Sequence, residues 1–257
     1  MAGDLVKCDF DSPVATVTIN RPQVLNAYNE ELLDQLAQTL EELFAAEKTA
    51  AIILTSEGSR AFSVGGDIDY LETLNSEQAK KLSQKGQNLC SLIESSGTVV
   101  IAAVDGYALG GGMEITLACD IRLASTRSRF GQPEVKLGII PAFGGTQRLP
   151  RLIGEAEAKE LLYTGDIIDA ALAYELGLIN KVVTPRSLLS EARELALEIT
   201  DRSTKAVRLI KTAVNKKYVE ASKAGYEYES EAFAECFKTE EHRVRIREMK
   251  QIVKEDN

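Results

Sequence analysis

A single histidine, His242, serves 257 residues, and tryptophan is absent. HExxH metal chemistry needs two histidines, so it is excluded. A Ser-His-Asp triad could run only through His242, which stands in a highly charged C-terminal stretch. The four cysteines, Cys8, Cys90, Cys119 and Cys236, are scattered with no CxxC pair. They frame neither a zinc site nor a disulfide scaffold and read as reduced thiols of a cytoplasmic protein. No uninterrupted apolar run approaches the ~18 residues of a membrane span. Residues 1–10 lack both a basic flank and an apolar core, so neither a secretory signal nor a transit peptide is expected there. Positive charge is in deficit, with 30 Lys and Arg against 39 Asp and Glu, a net −9. That balance is poorly suited to non-specific nucleic-acid binding. One local exception is Arg202, Lys205, Arg208, Lys211, Lys216 and Lys217, at roughly helical spacing. It is expected to be a solvated helix face; the sharper alternative is attraction for an anionic group such as a nucleotide phosphate. Acid–base chemistry is left to carboxylates, lysines, tyrosines or cysteines.

What is present is an alternation of strand and helix signals. Residues 14–20 alternate, with Ala15, Val17 and Ile19 on one face. Asn29 is placed to cap a helix to about 47, whose Leu32, Leu33, Leu36, Leu40, Leu43 and Phe44 follow a 3.6 period. Segments 50–55 and 98–104 are apolar on both faces, the pattern of strands covered on both sides. Helices are predicted over 76–95, 113–119, 155–163 and 170–175, short strands at 121–124 and 182–183, and loops at 56–66 and over most of 131–145. From 187 onward every periodic segment is helical. This order argues for an α/β core with crossover connections, followed by an amphipathic helical tail that needs a surface to pack on.

Helix 113–119 carries one carboxylate, Glu114, among apolar residues. A helix-dipole role for Glu114 is worth only ~0.3–1 kcal/mol. Burying an unpaired carboxylate costs several kcal/mol or shifts its pKa upward, and such acids cluster at active sites. Gly110-Gly111-Gly112 precedes it and fits neither a Walker loop nor a dinucleotide fingerprint. Main-chain N–H groups at such a helix start can serve as an oxyanion hole. Ser63 to Asp67 forms a second glycine-bearing turn after a buried strand, either a simple turn or a second source of amides. In Phe130-Gly131-Gln132-Pro133-Glu134, Pro133 suits a first helical position and Glu134 follows it. Two carboxylates in one site push each other's pKa values apart, leaving one base and one acid.

Those residues carry a resemblance. Asn20-Arg21-Pro22, Leu25-Asn26-Ala27, residues 61–68, 105–114 (Asp-Gly-Tyr-Ala-Leu-Gly-Gly-Gly-Met-Glu), 118–122, 130–134, 137–141 and 144–149 stand in the order and spacing of the crotonase, or enoyl-CoA hydratase, superfamily. The chain resembles that superfamily over nearly its full length. The resemblance implies an α/β fold, a spiral of ββα units over 1–190 that holds the active site. It further implies a helical region over 191–257 that mediates a homotrimer or a hexamer of paired trimers. The expected substrate is an acyl-CoA, with no metal and no separate cofactor. By the same match the thioester oxygen lies between the N–H groups of Gly66 and Gly111. Glu114 activates water and Glu134 protonates the α-carbon. Gln23, Val24, Ala27, Arg60, Val64, Asp67, Ile68, Ala142 and Phe233 fall on binding positions. Arg60 is expected to face a phosphate, and Phe233 matches a position that in some members contacts the CoA of a neighbouring subunit. Departures from the usual pattern are Gly66 for alanine, Gln23 for lysine, Asp69 for a basic residue, Ala142 for glycine, and the whole of 241–252.

The expected reaction is reversible addition of water to a trans-2-enoyl-CoA. Alternatives within the superfamily are isomerisation and hydration of a cyclic or aromatic-pathway enoyl-CoA. Outside it stand a non-catalytic RNA-associating homologue, against which the net acidity argues, and a structural subunit of a larger assembly.

Overall fold

A computed structural model describes residues 5–255, without the side chains of Lys217, Val219, Glu220 and 252–255. Residues 1–4 of the N-terminal stretch, and the side chains of Lys217 and Ile252, therefore lie outside the described residues.

The chain opens with an antiparallel pair, β1 (Val6–Asp11) and β2 (Val14–Ile19), leading into α1 (Glu30–Ala45). Three repeats come next. The first is β3 (Ala51–Ser56), β4 (Ala61–Ser63), α2 (Ile68–Thr73) and α3 (Ser76–Ser95). The second is β5 (Val99–Val104), β6 (Tyr107–Leu109) and α4 (Gly111–Ala118). The third is β7 (Ile121–Ser125), β8 (Arg129–Gly131), a 3-10 turn at Pro133–Leu137, α5 (Gly145–Ile153) and α6 (Glu155–Thr164). After β9 (Ile167–Asp169), α7 (Ala170–Glu175) and β10 (Lys181–Val183) come α8 (Leu188–Thr200), α9 (Thr204–Ala221), α10 (Lys223–Cys236) and α11 (Glu241–Glu255).

Each repeat gives one strand to a six-stranded sheet, ordered β1-β2-β3-β5-β7-β10, and one to a four-stranded sheet, ordered β4-β6-β8-β9. Corresponding strands of successive repeats pair in parallel, so the chain advances as a spiral of ββα units. β3 and β5 are buried on both faces because side chains alternate across a strand. Ile52, Leu54, Val100 and Ala102 join the main core with α1, whose Leu32, Leu33, Leu36 and Leu40 are all buried. Ala51, Ile53, Val99 and Ile101 face a second core covered by Leu188, Ala192 and Ala196 of α8. The boundary at 190/191 thus falls inside α8.

Asn29 caps α1, accepting from Leu32 N at 3.0 Å, as its position before the apolar run predicts. Elements that the periodicity did not show have physical reasons for it. β1 is an edge strand that is almost wholly exposed, and the four strands of the smaller sheet have three residues each, too few to display a period. α5 begins at a glycine and contains Pro150.

The basic segment is corrected in part. Lys205 and Lys216 are exposed, and Arg202 pairs with Glu198 and Asp201. Lys211, by contrast, is buried: its Nζ donates to Asp120 Oδ2, Ile93 O and Thr98 O, each at 2.8 Å. It is neither a solvated charge nor one available to a ligand; it fastens α9 to the end of the sheet. His242 is likewise buried, its ring 4.4 Å from that of Phe237. Among the described residues no helix is long and apolar enough to cross a membrane.

Breaking a buried charge pair by removing one partner typically costs ~3–5 kcal/mol. Lys211→Met leaves Asp120 unpaired, so urea unfolding is expected to show a loss of about that size. Lys205→Met, on the exposed face, is expected to stay within ~0.5 kcal/mol of the parent.

Candidate active site

Two glutamates meet because two repeats run side by side. β6 and β8 are parallel neighbours, Tyr107 to Leu109 against Arg129 to Gly131. Their C-terminal ends therefore open at the same edge of the sheet. From one emerges α4 with Glu114 in its first turn, and from the other the 3-10 turn with Glu134. Pro133 occupies the start of that turn, as its missing N–H allows. Gly110 N donates to Gly131 O at 2.9 Å and ties the two exits together. Gly110 has φ 51°, and a Cβ there would lie 2.7 Å from Glu134 Oε1. Only glycine lets the carboxylate come so close to the start of α4.

Glu114 and Glu134 are 1% and 8% exposed, and both line one cavity of about 40 Å³. Gly66, Gly111, Ala142 and Phe233 line it too, with Leu71, Leu82, Ile139, Ile140 and Phe143. Burial raises the pKa of both glutamates, and the Glu229 carboxylate adds to the rise in each. Their immediate surroundings differ. Glu114 Oε1 accepts from Phe143 N at 2.8 Å and Gly145 N at 2.6 Å, and both bonds favour its charged form. Glu134 has its own amide and the side-chain amide of Gln132, whose nitrogen, turned toward the carboxylate, lies 3.1 and 3.2 Å from its two oxygens. Both carboxylates are thus pushed toward the neutral form, Glu114 by the neighbouring Glu134 charge as well, and the two main-chain donors from another segment on Glu114 oppose that push.

Against these acids stand two main-chain donors. Gly65, at φ +89°, has room for no Cβ: one built there lies 3.0 Å from Gly111 N and from Leu109 O. The turn at 65–66 is therefore pressed against the start of α4. Among the described residues, the Gly66 and Gly111 amides have no hydrogen-bond acceptor. At the positive end of α4 such donors suit an oxygen that gains negative charge.

The other sequence-predicted binding residues lie mostly outside this cavity. Segment 24–28, at the end of the 3-10 turn Pro22–Val24, runs beside 64–67. The two are joined by Val64 N to Leu25 O at 3.2 Å, Tyr28 N to Gly65 O at 2.7 Å and Asp67 N to Tyr28 O at 2.8 Å. Gln23, Val24, Ala27, Val64, Asp67 and Ile68 thus form one strip leading to Gly66, with Gln23 and Val24 exposed and Ala27 buried. Asp67 is already engaged: it pairs with Arg21 at 2.7 Å and caps α2. Arg60 extends an exposed side chain, while its carbonyl accepts from Tyr107 N. Phe233 reaches the cavity from α10 of the same chain.

Sequence reasoning missed Gln132, Glu229 and Arg148. Arg148 is fully buried and holds Glu94 at 2.7 Å. Glu229 stands among other acids in an ordinary-looking helix, so only its burial distinguishes it. A larger cleft of about 550 Å³ lies between α9 and β7. Its carboxylates are already paired, Glu94 with Arg148 and Arg151 and Asp120 with Lys211. No group of three or more His, Cys, Asp or Glu among the described residues is placed to hold a metal.

Known proteins are similar to this one over almost the whole chain. Residues 9–253 match the family model described as enoyl-CoA hydratase/isomerase. A short-chain-enoyl-CoA hydratase of Clostridium acetobutylicum is 44% identical, covering 91% of this chain and 89% of its own. A crotonyl-CoA hydratase of Syntrophomonas wolfei is 40% identical, with 95% and 94% covered. Among solved structures, an enoyl-CoA hydratase/isomerase from Mycobacterium paratuberculosis superposes with a TM-score of 0.89 at 30% identity, covering 95% of this chain and 98% of that one. An enoyl-CoA hydratase from Bacillus anthracis does so at 0.80 and 37%, with 87% and 90% covered. The chain belongs to the enoyl-CoA hydratase/isomerase family, and its fold is the crotonase fold.

Proposed function

We propose that this protein is an enoyl-CoA hydratase that adds water reversibly to short trans-2-enoyl-CoA thioesters. The observation that carries the reading is the pair of buried glutamates in unlike surroundings, facing one cavity beside two unengaged amides. The thioester oxygen is received by Gly66 N–H and Gly111 N–H, which stabilise the enolate formed as the β-carbon is attacked. Glu114, the carboxylate, takes a proton from water as its oxygen bonds to the β-carbon. Glu134, the acid, gives its proton to the α-carbon, and dehydration reverses both transfers. Keeping both acids favours hydration over isomerisation. The chemistry asks for no metal and no redox cofactor, since carboxylates carry out both proton transfers. The strip at 23–27 and 64–68, with Arg60 near its end, is the place we assign to the CoA moiety.

A cavity of about 40 Å³, walled by Leu71, Leu82, Phe143 and Phe233, holds little beyond water and a few carbons. That favours short acyl chains, in keeping with the names of the Clostridium and Syntrophomonas relatives. We also assign a homotrimer or hexamer. Leu209, Ile210 and Val214 on α9 are each about 60% exposed, an apolar face that a neighbouring subunit would cover. We also assign the protein to the cytoplasm, where its free cysteines would stay reduced.

Purified protein is expected to consume the enoyl-thioester absorbance of crotonyl-CoA, unchanged by a chelator and at least ~10-fold faster, in kcat/KM, than it consumes decenoyl-CoA. Glu134→Gln is expected to lower kcat by about 10²–10⁴-fold; full activity in that variant overturns the assignment. Because burial raises the Glu134 pKa, the wild type loses stability as pH rises from the unfolded to the folded value. Glu134→Gln, which cannot ionise, should therefore melt higher than wild type at mildly alkaline pH, and the gap should close on acidification. Light scattering on a sizing column is expected to give the mass of a trimer or hexamer; a monomer refutes that assignment.

A further inference from the structure

Residues 143–146 present four consecutive main-chain N–H groups, which alternate between two carboxylates. Phe143 N and Gly145 N donate to Glu114 at 2.8 and 2.6 Å; Gly144 N and Thr146 N donate to Glu229 at 2.6 and 3.1 Å. Gly144, at φ +98°, gives the segment the left-handed turn that aims successive amides to opposite sides. Glu229 comes from α10, is 1% exposed, and does not line the cavity. Thr146 Oγ1 and Gln87 Nε2, the latter at 3.0 Å, also donate to it. The next residue, Ser230, bonds Ser83 Oγ at 2.9 Å, and Ser83 donates to Ala142 O at 2.7 Å. A polar cluster on α3 and α10 thus grips every residue from 142 to 146 except Phe143 and Gly145, and those two grip Glu114.

The charged and titratable groups facing Glu114 can be sorted by element. The 3-10 turn presents Glu134, and α10 presents Glu229, with Tyr226 behind it against Arg148. From α5 comes Arg148, which donates to Phe143 O at 2.7 Å and is held by Glu94 of α3. Cys90 of α3 and Tyr28 of the 24–28 segment are pushed up by burial and stay neutral. In the proposed reaction Glu134 starts protonated, so Glu229 is the other carboxylate that faces Glu114 without a cation of its own. Four donors oppose the rise that burial imposes on its pKa.

We propose that Glu229 is a positioning residue for hydration: from α10 it sets the 143–146 segment so that alternate amides fix the Glu114 carboxylate, and its negative charge strengthens Glu114 as the base. The proposal rests on the reading of Glu114 as that base. Two full-length variants test it, assayed with crotonyl-CoA across pH. Glu229→Gln keeps the shape and removes the charge. Its kcat is expected to fall about 10- to 100-fold with KM within about threefold, and the acidic limb of kcat/KM to move about one unit to lower pH, since the like charge of Glu229 no longer adds to burial in opposing ionisation of Glu114. Glu229→Asp keeps the charge and shortens the reach. Its limb is expected to stay at the wild-type pH while kcat falls at unchanged KM. An unmoved limb in Glu229→Gln with kcat at the wild-type level overturns the proposal, as does a loss that tracks melting temperature with the limb unmoved. If Glu229→Gln fails to fold, Glu229→Asp decides, because wild-type kcat there overturns the positioning role. Glu114→Gln, run beside them, separates the two readings. Activity retained in it removes the assignment of the base, whereas an inactive Glu114→Gln with unaltered Glu229 variants removes this proposal alone.

Discussion

Main-chain N–H groups of Phe143 and Gly145 meet the Glu114 carboxyl where burial and neighbouring carboxylates push it toward neutrality. Much of the remaining architecture bears on that arrangement. An isolated carboxylate in an apolar interior takes up a proton, and a protonated Glu114 could not accept one from water. Two short bonds from amides already fixed by the backbone offset that tendency with no side chain to reorganise. Beside it, Glu134 meets its own amide and the side-chain amide of Gln132, and in the proposed reaction it is the acid. Acid and base are thus distinguished by their surroundings, since chemically the two side chains are identical.

The spiral explains how such a site can be built from short elements. Each ββα unit delivers a strand to the small sheet, and parallel pairing brings the exits of successive strands to one edge. Glu114 and Glu134 leave adjacent strands of that sheet, and Gly66 leaves the strand one place further along. The three therefore converge although no two share an element. The covering comes from farther off. Phe233 closes the cavity and Glu229 grips the 143–146 segment, both from α10, which packs on α3. The helical tail is in this sense part of the active site of its own chain, in addition to any contact between subunits.

Concentrating buried carboxylates costs stability, and the structure answers with donors rather than with cations. Arg148 is buried nearby, yet its guanidinium is committed to Glu94 and to the Phe143 carbonyl. A cation placed directly on Glu114 would lower its basicity; hydrogen bonds from amides stabilise its charge without forming a tight ion pair. Arg148 contributes at one remove, by holding the segment whose amides bind Glu114.

Much of this is legible in the residues. The alternation at 14–20 and the 3.6 period of α1 with its Asn29 cap are local signals, and the structure returns them nearly unchanged. The doubly apolar runs at 50–55 and 98–104 imply a sheet covered on both sides, and two cores lie against it. A lone acid in an apolar helix after three glycines marks Glu114, because burial of a charge is a sequence-visible anomaly. Other features depend on which segments meet. Three-residue strands have no period to read. Lys211 reads as one more cation on a solvated face, and only the packing of α9 against the end of the sheet shows it buried on Asp120. Glu229 reads as one acid among many, and nothing local distinguishes a carboxylate that will meet four donors from one that will meet water. Sequence by itself determined the longer elements and Glu114, since those rest on hydrophobic period and on a charge out of place, while Glu134 stood out only through the family pattern. Tertiary structure alone decided which donors each acid meets, because the amides on Glu114 are contributed by a different part of the chain.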